Sequence, residues 1–274
     1  MDFPNLIIVQ SGDIIYYTDL NLEQNQGVKI AFTTRHGGAS SNEFASLNFG
    51  QYVGDNAKDI AINMRKLADC MEISPSNIIV ARQVHANDIV FVKKDGEETV
   101  ETLQRLASEG ADAIVVCKDS VGALLCFADC VPVIIVSSSG NFAVVHAGWR
   151  GVMLDIVGKA FDLLKKQDAQ DDNVIQDNFQ YNFYIGPHIH KECFETSKEI
   201  HDEFVRAYGA ECSHMGDHIN LACAIGVSLF KRGVGKDRIA NLDICTVCND
   251  TDFFSYRTSG GKCGRHAAFA VRNY

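Results

Sequence analysis

Two histidines and a cysteine carry the first chemical signal in this sequence. The central stretch reads ALLCFADCVPVIIVSSSGNFAVVHAGWRG and contains Cys130 and His146. SSSGN reads as a turn between two strands. If residues 133–137 pair antiparallel with 142–146, His146 lies opposite about residue 133. That is the end of the hairpin where Cys130 sits, two residues before Pro132, which is expected to mark a strand break. His85 follows the run NIIVARQV (77–84) and precedes the turn residues Asn87 and Asp88, so it also falls at a strand end. Its approach to the other two is plausible chemically but is not fixed by spacing.

Two imidazoles and a thiolate suit zinc, and three protein ligands leave a fourth position for water. Such an ion lowers the pKa of its water to about 7 and polarises bound groups. Asp129, next to the thiol, is a candidate to orient a ligand or move a proton. A reading without metal also stands, with Cys130 as nucleophile and His146 as its base. Two further clusters compete. Cys245, Cys248, Cys263 and His266 form a CxxC followed by CxxH, the spacing of a zinc ribbon or knuckle. His188 and His190 form an HIH pair.

The elements that must position these residues read mainly as strands. They are expected at 28–34, 77–84, 112–117, 123–128, 132–137, 142–147, 182–186 and 238–244, from β-branched and aromatic content between turn residues. Four helices are expected. Asp55 caps one that buries Ile60, Met64, Leu67 and Met71. A second follows Gly151, with Met153, Val157, Ala160, Phe161 and Leu164 inward. A third begins at Thr196 or Ser197 and ends at Gly209. A fourth covers about 220–232 and stops at Gly233. Strands recur without a helix between each pair, which argues for an α+β fold of mixed sheets with helices outside. Neither GxGxxG nor GxxxxGK[ST] occurs, so dinucleotide and P-loop chemistry are not indicated.

Composition narrows the partners. The 274 residues are 46% hydrophobic with only 4 prolines and no linker-like tract, so one domain over 1–274 is expected. A net charge of −10 disfavours nucleic acid and anionic membranes, and an anionic substrate would need a local arginine cluster. No apolar run approaches the roughly 20 residues of a membrane span. The first residues carry Asp2 and no basic region, so no signal peptide is expected and the location expected is cytoplasmic. With thiols kept reduced there, the 10 cysteines are expected as core residues or ligands rather than a disulfide frame, with Cys117, Cys126 and Cys223 as inert packing.

The motifs then converge on a known family. TTRHGGAS (33–40), SLNFG (46–50), VGDN (53–56), QVH (83–85), ADA (111–113), ADCVP (128–132), HAGWRG (146–151), IGPHI (185–189), CT (245–246), FFSYR (253–257) and GRHAA (264–268) resemble the laccase-domain, or multicopper polyphenol oxidase, family over nearly the whole chain. The resemblance implies a four-layer α/β/β/α sandwich and one zinc held by the histidine of QVH, the cysteine of ADC and the histidine of HAGWRG. By position these are His85, Cys130 and His146. It further implies a purine nucleoside enzyme, cleaving adenosine, inosine and methylthioadenosine with phosphate and deaminating adenosine. Nine histidines, without HxH pairs in the number that multicopper clusters need, give copper oxidation of phenols little support, although copper can occupy the same donors.

Deamination needs water activated at C6 of the base, as in other zinc deaminases. Phosphorolysis needs phosphate held against the ribose, for which Arg35, Arg150 and Arg257 are candidates, with Asn48 as a polar partner. Three departures from the family bear on substrate rather than metal: His188 in place of a cysteine or small residue, Thr258 in place of a second arginine, and ECFE (192–195) in place of YEV. Two other functions compete: an amidase editing peptidoglycan precursors, and a binding module with purely structural zinc, which would need a fourth ligand. No oligomeric state is read from the sequence.

Overall fold

The computed structural model describes residues 1–170 and 180–273. The first half comprises β1 (Ile7–Ser11), β2 (Ile14–Thr18), α1 (Leu20–Gln26), β3 (Val28–Thr33), α2 (Ala57–Cys70), β4 (Ile78–Val80), β5 (Ile89–Val92), α3 (Val100–Glu109), β6 (Ala113–Val116) and β7 (Gly122–Phe127). Then come β8 (Val131–Ser137), β9 (Phe142–Ala147), α4 (Trp149–Met153), α5 (Ile156–Asp168), β10 (Tyr181–Ile185) and α6 (Lys198–Tyr208). The chain closes with β11 (Ser213–His214), β12 (His218–Ile219), α7 (Leu221–Lys231), β13 (Ile239–Asn241), α8 (Tyr256–Ser259) and β14 (His266–Arg272).

Every residue of β8 and β9 is buried, so their sheet must be covered on both faces. One sheet runs β1-β2-β3-β14-β7-β4 and the other β13-β10-β8-β9-β6-β5. Both are mixed: β4–β7, β5–β6 and β10–β13 are parallel, the remaining pairs antiparallel. Alternation separates the layers. Ile114, Ile134, Val136 and Val144 pack with Phe32, Leu125 and Ala270 of the opposite sheet. The intervening Val115, Val133, Ile135 and Val145 pack with Val157, Phe161 and Leu164 of α5 and with Ile225 of α7. On the other outer face Leu124, Phe269 and Val271 meet Leu67, Ala68 and Met71 at α2. The result is the α/β/β/α sandwich implied by the resemblance.

Two connections cross between the sheets at the same end. β4 and β7 are parallel neighbours in the first sheet, and each leads into a strand of the second, β5 and β8. The segments 81–88 and 128–130 are therefore brought to one rim of the sandwich. The second crossing turns at Asp129, whose φ is +91°.

Several expectations need correction. The strand expected over 77–84 stops at Val80, because the N–H groups beyond it bond elsewhere, as described below. Pro132 does not interrupt a strand but lies second in β8, opposite His146. Its carbonyl accepts from Gly186 N–H at 3.0 Å, so its own edge faces the end of β10 and the missing N–H leaves no gap in the ladder to β9. The helix expected after Gly151 is two helices. Asp155 sits between them at φ +57°, and its carboxylate binds Arg232 at 2.6 Å and Ser228 Oγ at 2.5 Å. Asn56, not Asp55, caps α2 by accepting from Lys58 N–H. Asp55 instead accepts from Ser40 Oγ and Asn48 Nδ2. Cys223 is not a free packed thiol but is bonded to Cys212, joining the turn after α6 to α7. Cys117 and Cys126 remain unbonded, and burial pushes both thiols up to about 12. Among the described residues no helix is long and apolar enough to cross a membrane.

The helices also hold loops. Asn63 of α2 is fully buried, and its amide accepts from Ala39 N–H at 2.7 Å. It donates to Ser40 Oγ at 3.0 Å and to Asn48 O at 2.8 Å, pinning the loop that leads into the rim at Phe49. Replacing it takes the partner from a backbone donor and from three acceptors, Ser46 O being the third. Asn63→Ala is expected to lower unfolding free energy by about 2–3 kcal/mol in urea titration, against a change under about 0.5 kcal/mol for exposed Lys58→Ala.

Candidate metal centre

The site is organised by a residue to which the sequence assigned no role. Asp112, just before β6, is fully buried. Its carboxylate accepts the backbone N–H groups of Val84 (3.2 Å), His85 (3.0 Å) and Ala86 (2.8 Å). Three successive donors curled on one anion form a nest, and His85 at φ +59° is the residue that bends them inward. The same carboxylate accepts from His146 Nδ1 at 2.8 Å, and Asp112 O accepts from His146 N–H at 2.8 Å. With Nδ1–H committed, the lone pair of His146 is on Nε2.

One ligand atom from each of His85, Cys130 and His146 then lies within 4.8 Å of the other two. Cys130 Sγ is 3.9 Å from His85 Nε2, and the two imidazoles meet edge-on with centroids 4.9 Å apart. The space between them is kept open by Gly148. A Cβ there would come 3.1 Å from Cys130 Sγ and 3.2 Å from His85 Cδ2. The donors and the cradle fit a borderline-soft cation such as zinc.

The electrostatics agree. Burial opposes a Cys130 thiolate, but the His146 and His85 imidazoles outweigh it and hold the thiol down to about 6. Burial likewise opposes an imidazolium at His146, yet Cys130 and Asp112 hold it up to about 9. The Asp112 carboxyl is also desolvated, but its bonds to His146 and the backbone N–H groups keep it below its usual range. The metal-free trio is thus a thiolate–imidazolium pair backed by a carboxylate.

A cavity of about 520 Å³ opens beside the trio. Its charged walls are Arg150, Arg257, Arg265 and Asp129, and its rings include Phe49, Tyr52, Trp149, Phe194 and Tyr256. Arg257 donates to the carbonyls of Cys193 and Glu195, both at 3.0 Å. Arg265, which the sequence reading missed, donates to the carbonyls of Cys263 (2.7 Å) and Gly264 (2.9 Å). Arg150 lies over the Trp149 ring at 4.4 Å. Asp129 lines the cavity, but its carboxylate bonds outside the trio. Its oxygens accept from Thr246 Oγ1 and Arg257 N–H, both at 2.7 Å, so the orienting job falls to Asp112.

Two other candidates lie off this wall. Arg35 bonds the carbonyls of Ala45 and Asp250 and stacks over Phe254. Asn48 is buried, with its amide oxygen accepting from Gly50 and Arg265 N–H. Both shape loops rather than face the cavity. The four-residue C-terminal cluster is not assembled either. Cys263 turns its sulfur to Ser255 O, and His266 is buried between Phe127 and Phe253, where desolvation pushes its imidazole down to about 3. Cys245 and Cys248 meet Cys193 instead. Among the described residues His188 and His190 gain no third ligand; His188 Nδ1 bonds Gly186 O at 2.8 Å. Arg265 and Asp112 both lie in motifs visible in the sequence, GRHAA and ADA, but neither motif says which way its side chain points.

The thiol contrast is measurable. In metal-free protein, iodoacetamide is expected to modify Cys130 readily at pH 7, with the rate falling as pH drops through about 6 while the thiolate is protonated. Cys117 and Cys126 should react only after denaturation, and added zinc should protect Cys130. Peptide mass mapping reads all three, and equal labelling of Cys130 and Cys126 at pH 7 would contradict the assignment.

Residues 29–273 match the family model described as multi-copper polyphenol oxidoreductase laccase. A purine nucleoside phosphorylase, YlmD, of Geobacillus stearothermophilus is 32% identical over 90% of this chain and 90% of its own length. An adenosine deaminase, RL5, from an unknown prokaryotic organism is 29% identical over 88% of this chain and 92% of its own. The crystal structure of YlmD from Geobacillus stearothermophilus superposes with a TM-score of 0.81 at 28% identity, covering 98% of this chain and all of the other. The chain belongs to the multi-copper polyphenol oxidoreductase laccase family.

Proposed function

We propose that this chain is a cytoplasmic, zinc-dependent purine nucleoside phosphorylase that also deaminates adenosine, with adenosine, inosine and methylthioadenosine as nucleosides. One observation carries the reading. The His85–Cys130–His146 trio opens onto a cavity whose charged side chains are three arginines and a single carboxylate. The names of relatives that align over about nine-tenths of the chain, a phosphorylase and a deaminase, support the same chemistry.

His85, Cys130 and His146 would hold the zinc. When bound, it supplies a Lewis acid and acidifies water. Copper can take the same donors, but multicopper oxidation needs several histidines at each centre. Among the described residues only two converge at any metal-competent cluster. Arg150, Arg257 and Arg265 are assigned to phosphate, which their forked donors suit. In phosphorolysis a phosphate oxygen bonds to C1′ of the ribose as the bond to N9 of the purine breaks. The electron pair leaves on the base, which takes up a proton. In deamination water adds at C6 and the amine leaves as ammonia. Asp129 is assigned to carry the protons: each oxygen already accepts one hydrogen bond and keeps another acceptor position free. The exposed rings of Tyr52 and Tyr256 offer π-faces to the purine.

The test is direct. Zinc-loaded protein with adenosine and phosphate should yield adenine and ribose 1-phosphate, and without phosphate inosine and ammonia, resolved by chromatography. Absence of turnover with every purine nucleoside tried would overturn the reading. Arg150→Ala should raise the phosphate KM about 10-fold or more with little change in deamination, since a hydrogen bond to a charged group contributes about 1.5–3 kcal/mol. Asp112→Asn should weaken zinc about 10–100-fold in competition with a chromophoric chelator, as for other residues that orient ligating histidines.

A further inference from the structure

Three sulfurs outside the trio also converge. We propose that Cys193, Cys245 and Cys248 form a second zinc site, built of thiolates alone, which braces the cavity wall that carries Arg257. The cysteines come from two segments: Cys193 from the turn after β10, Cys245 and Cys248 from the CxxC turn after β13. Their sulfurs lie within 4.8 Å of one another, with Cys193 Sγ 3.6 Å from Cys248 Sγ. Two thiolates on one tetrahedral ion with bonds of about 2.3 Å sit about 3.8 Å apart. A disulfide would hold them at about 2.05 Å. Cys212 and Cys223 are bonded, whereas these three are not.

The surrounding backbone is shaped for thiolates. Cys245 forms a parallel bridge with His188, and the N–H of His190 donates to Cys245 Sγ at 3.4 Å. The N–H and side-chain amide of Asn249 both donate to Cys245 O, at 3.0 and 2.9 Å, closing the CxxC turn. Backbone donors to sulfur favour its anionic form. Cys248 is exposed, so a cation can reach the three sulfurs from solvent.

The link to the cavity runs through two bonds already described. Arg257 Nη1 is held by the carbonyl of Cys193 itself. Thr246, between the two cysteines of the CxxC, holds Asp129 Oδ1. An ion gripping the three sulfurs therefore fixes one anchor of the guanidinium and one of the carboxylate.

Zinc counting by elemental analysis on the reduced full-length protein tests this without any nucleoside, so the outcome is independent of the proposed catalysis. The wild type should carry two zinc ions, Cys248→Ser one, Cys130→Ala one, and the double variant none. Cobalt substitution gives a second readout. The thiolate-to-cobalt absorption should lose most of its intensity in Cys248→Ser and little in Cys130→Ala, because three of the four sulfurs belong to the second site. One zinc in the wild type with no loss in Cys248→Ser would overturn the proposal. So would a Cys193–Cys248 disulfide found by peptide mapping of the reduced, zinc-treated protein.

Discussion

A buried carboxylate is the constraint from which the rest of the site follows. An ion of this kind, taken out of water, costs several kcal/mol unless donors replace its hydration. Asp112 meets that demand with three consecutive backbone N–H groups and an imidazole. Satisfying it bends residues 84–86 into a left-handed turn, ends the strand before them, and aims His85 and His146 at the same space. The histidines are thus not placed independently. They are two consequences of neutralising one charge, and Cys130 need only arrive from the neighbouring crossing.

That arrival is a matter of topology. Because β4 and β7 are parallel neighbours, their C-terminal ends leave the first sheet together, and both continue into the second. The β8–β9 hairpin brings His146 back to the same rim, opposite Pro132. Layered sheets with two crossings at one end make a rim where irregular backbone, and therefore exposed donors and acceptors, is concentrated. The cavity and the trio occupy that rim while the interior between the sheets stays apolar.

How much of this was legible depended on the range of the interactions involved. The hairpin of β8 and β9 is local, and reading SSSGN as its turn placed His146 within one residue of its observed partner. The helices α6 and α7 were legible for the same reason, through Ser197, Gly209 and Gly233. What failed was non-local. Nothing near His85 in sequence shows that Asp112 will capture its N–H, so a strand was expected up to Val84. Nothing near Asp155 shows that Arg232 will pull it into a left-handed turn and split a helix. β14 was not expected at all: its residues are buried on both faces, which erases the alternation that marks a half-exposed strand. The four sheet-and-helix layers came from the family motifs rather than from periodicity.

The pocket arginines show why a chain of net charge −10 can still receive an anion. Two guanidinium groups away from the cavity are neutralised: Arg232 lies against Asp155 and Asp162, and Arg272 against Asp119. On the cavity wall the anchors are uncharged. Arg257 and Arg265 are positioned by main-chain carbonyls, and Arg150 by an indole face. A carbonyl fixes the geometry of a guanidinium without cancelling its charge, so the donors left over keep their full attraction for phosphate. Asp129 is the single acidic residue on that wall, and its oxygens are partly occupied by Thr246 and the Arg257 N–H. Charge pairing therefore sets Arg232 and Arg272, which hold the fold, apart from the three arginines of the cavity wall, a distinction that neither their number nor their motifs could make.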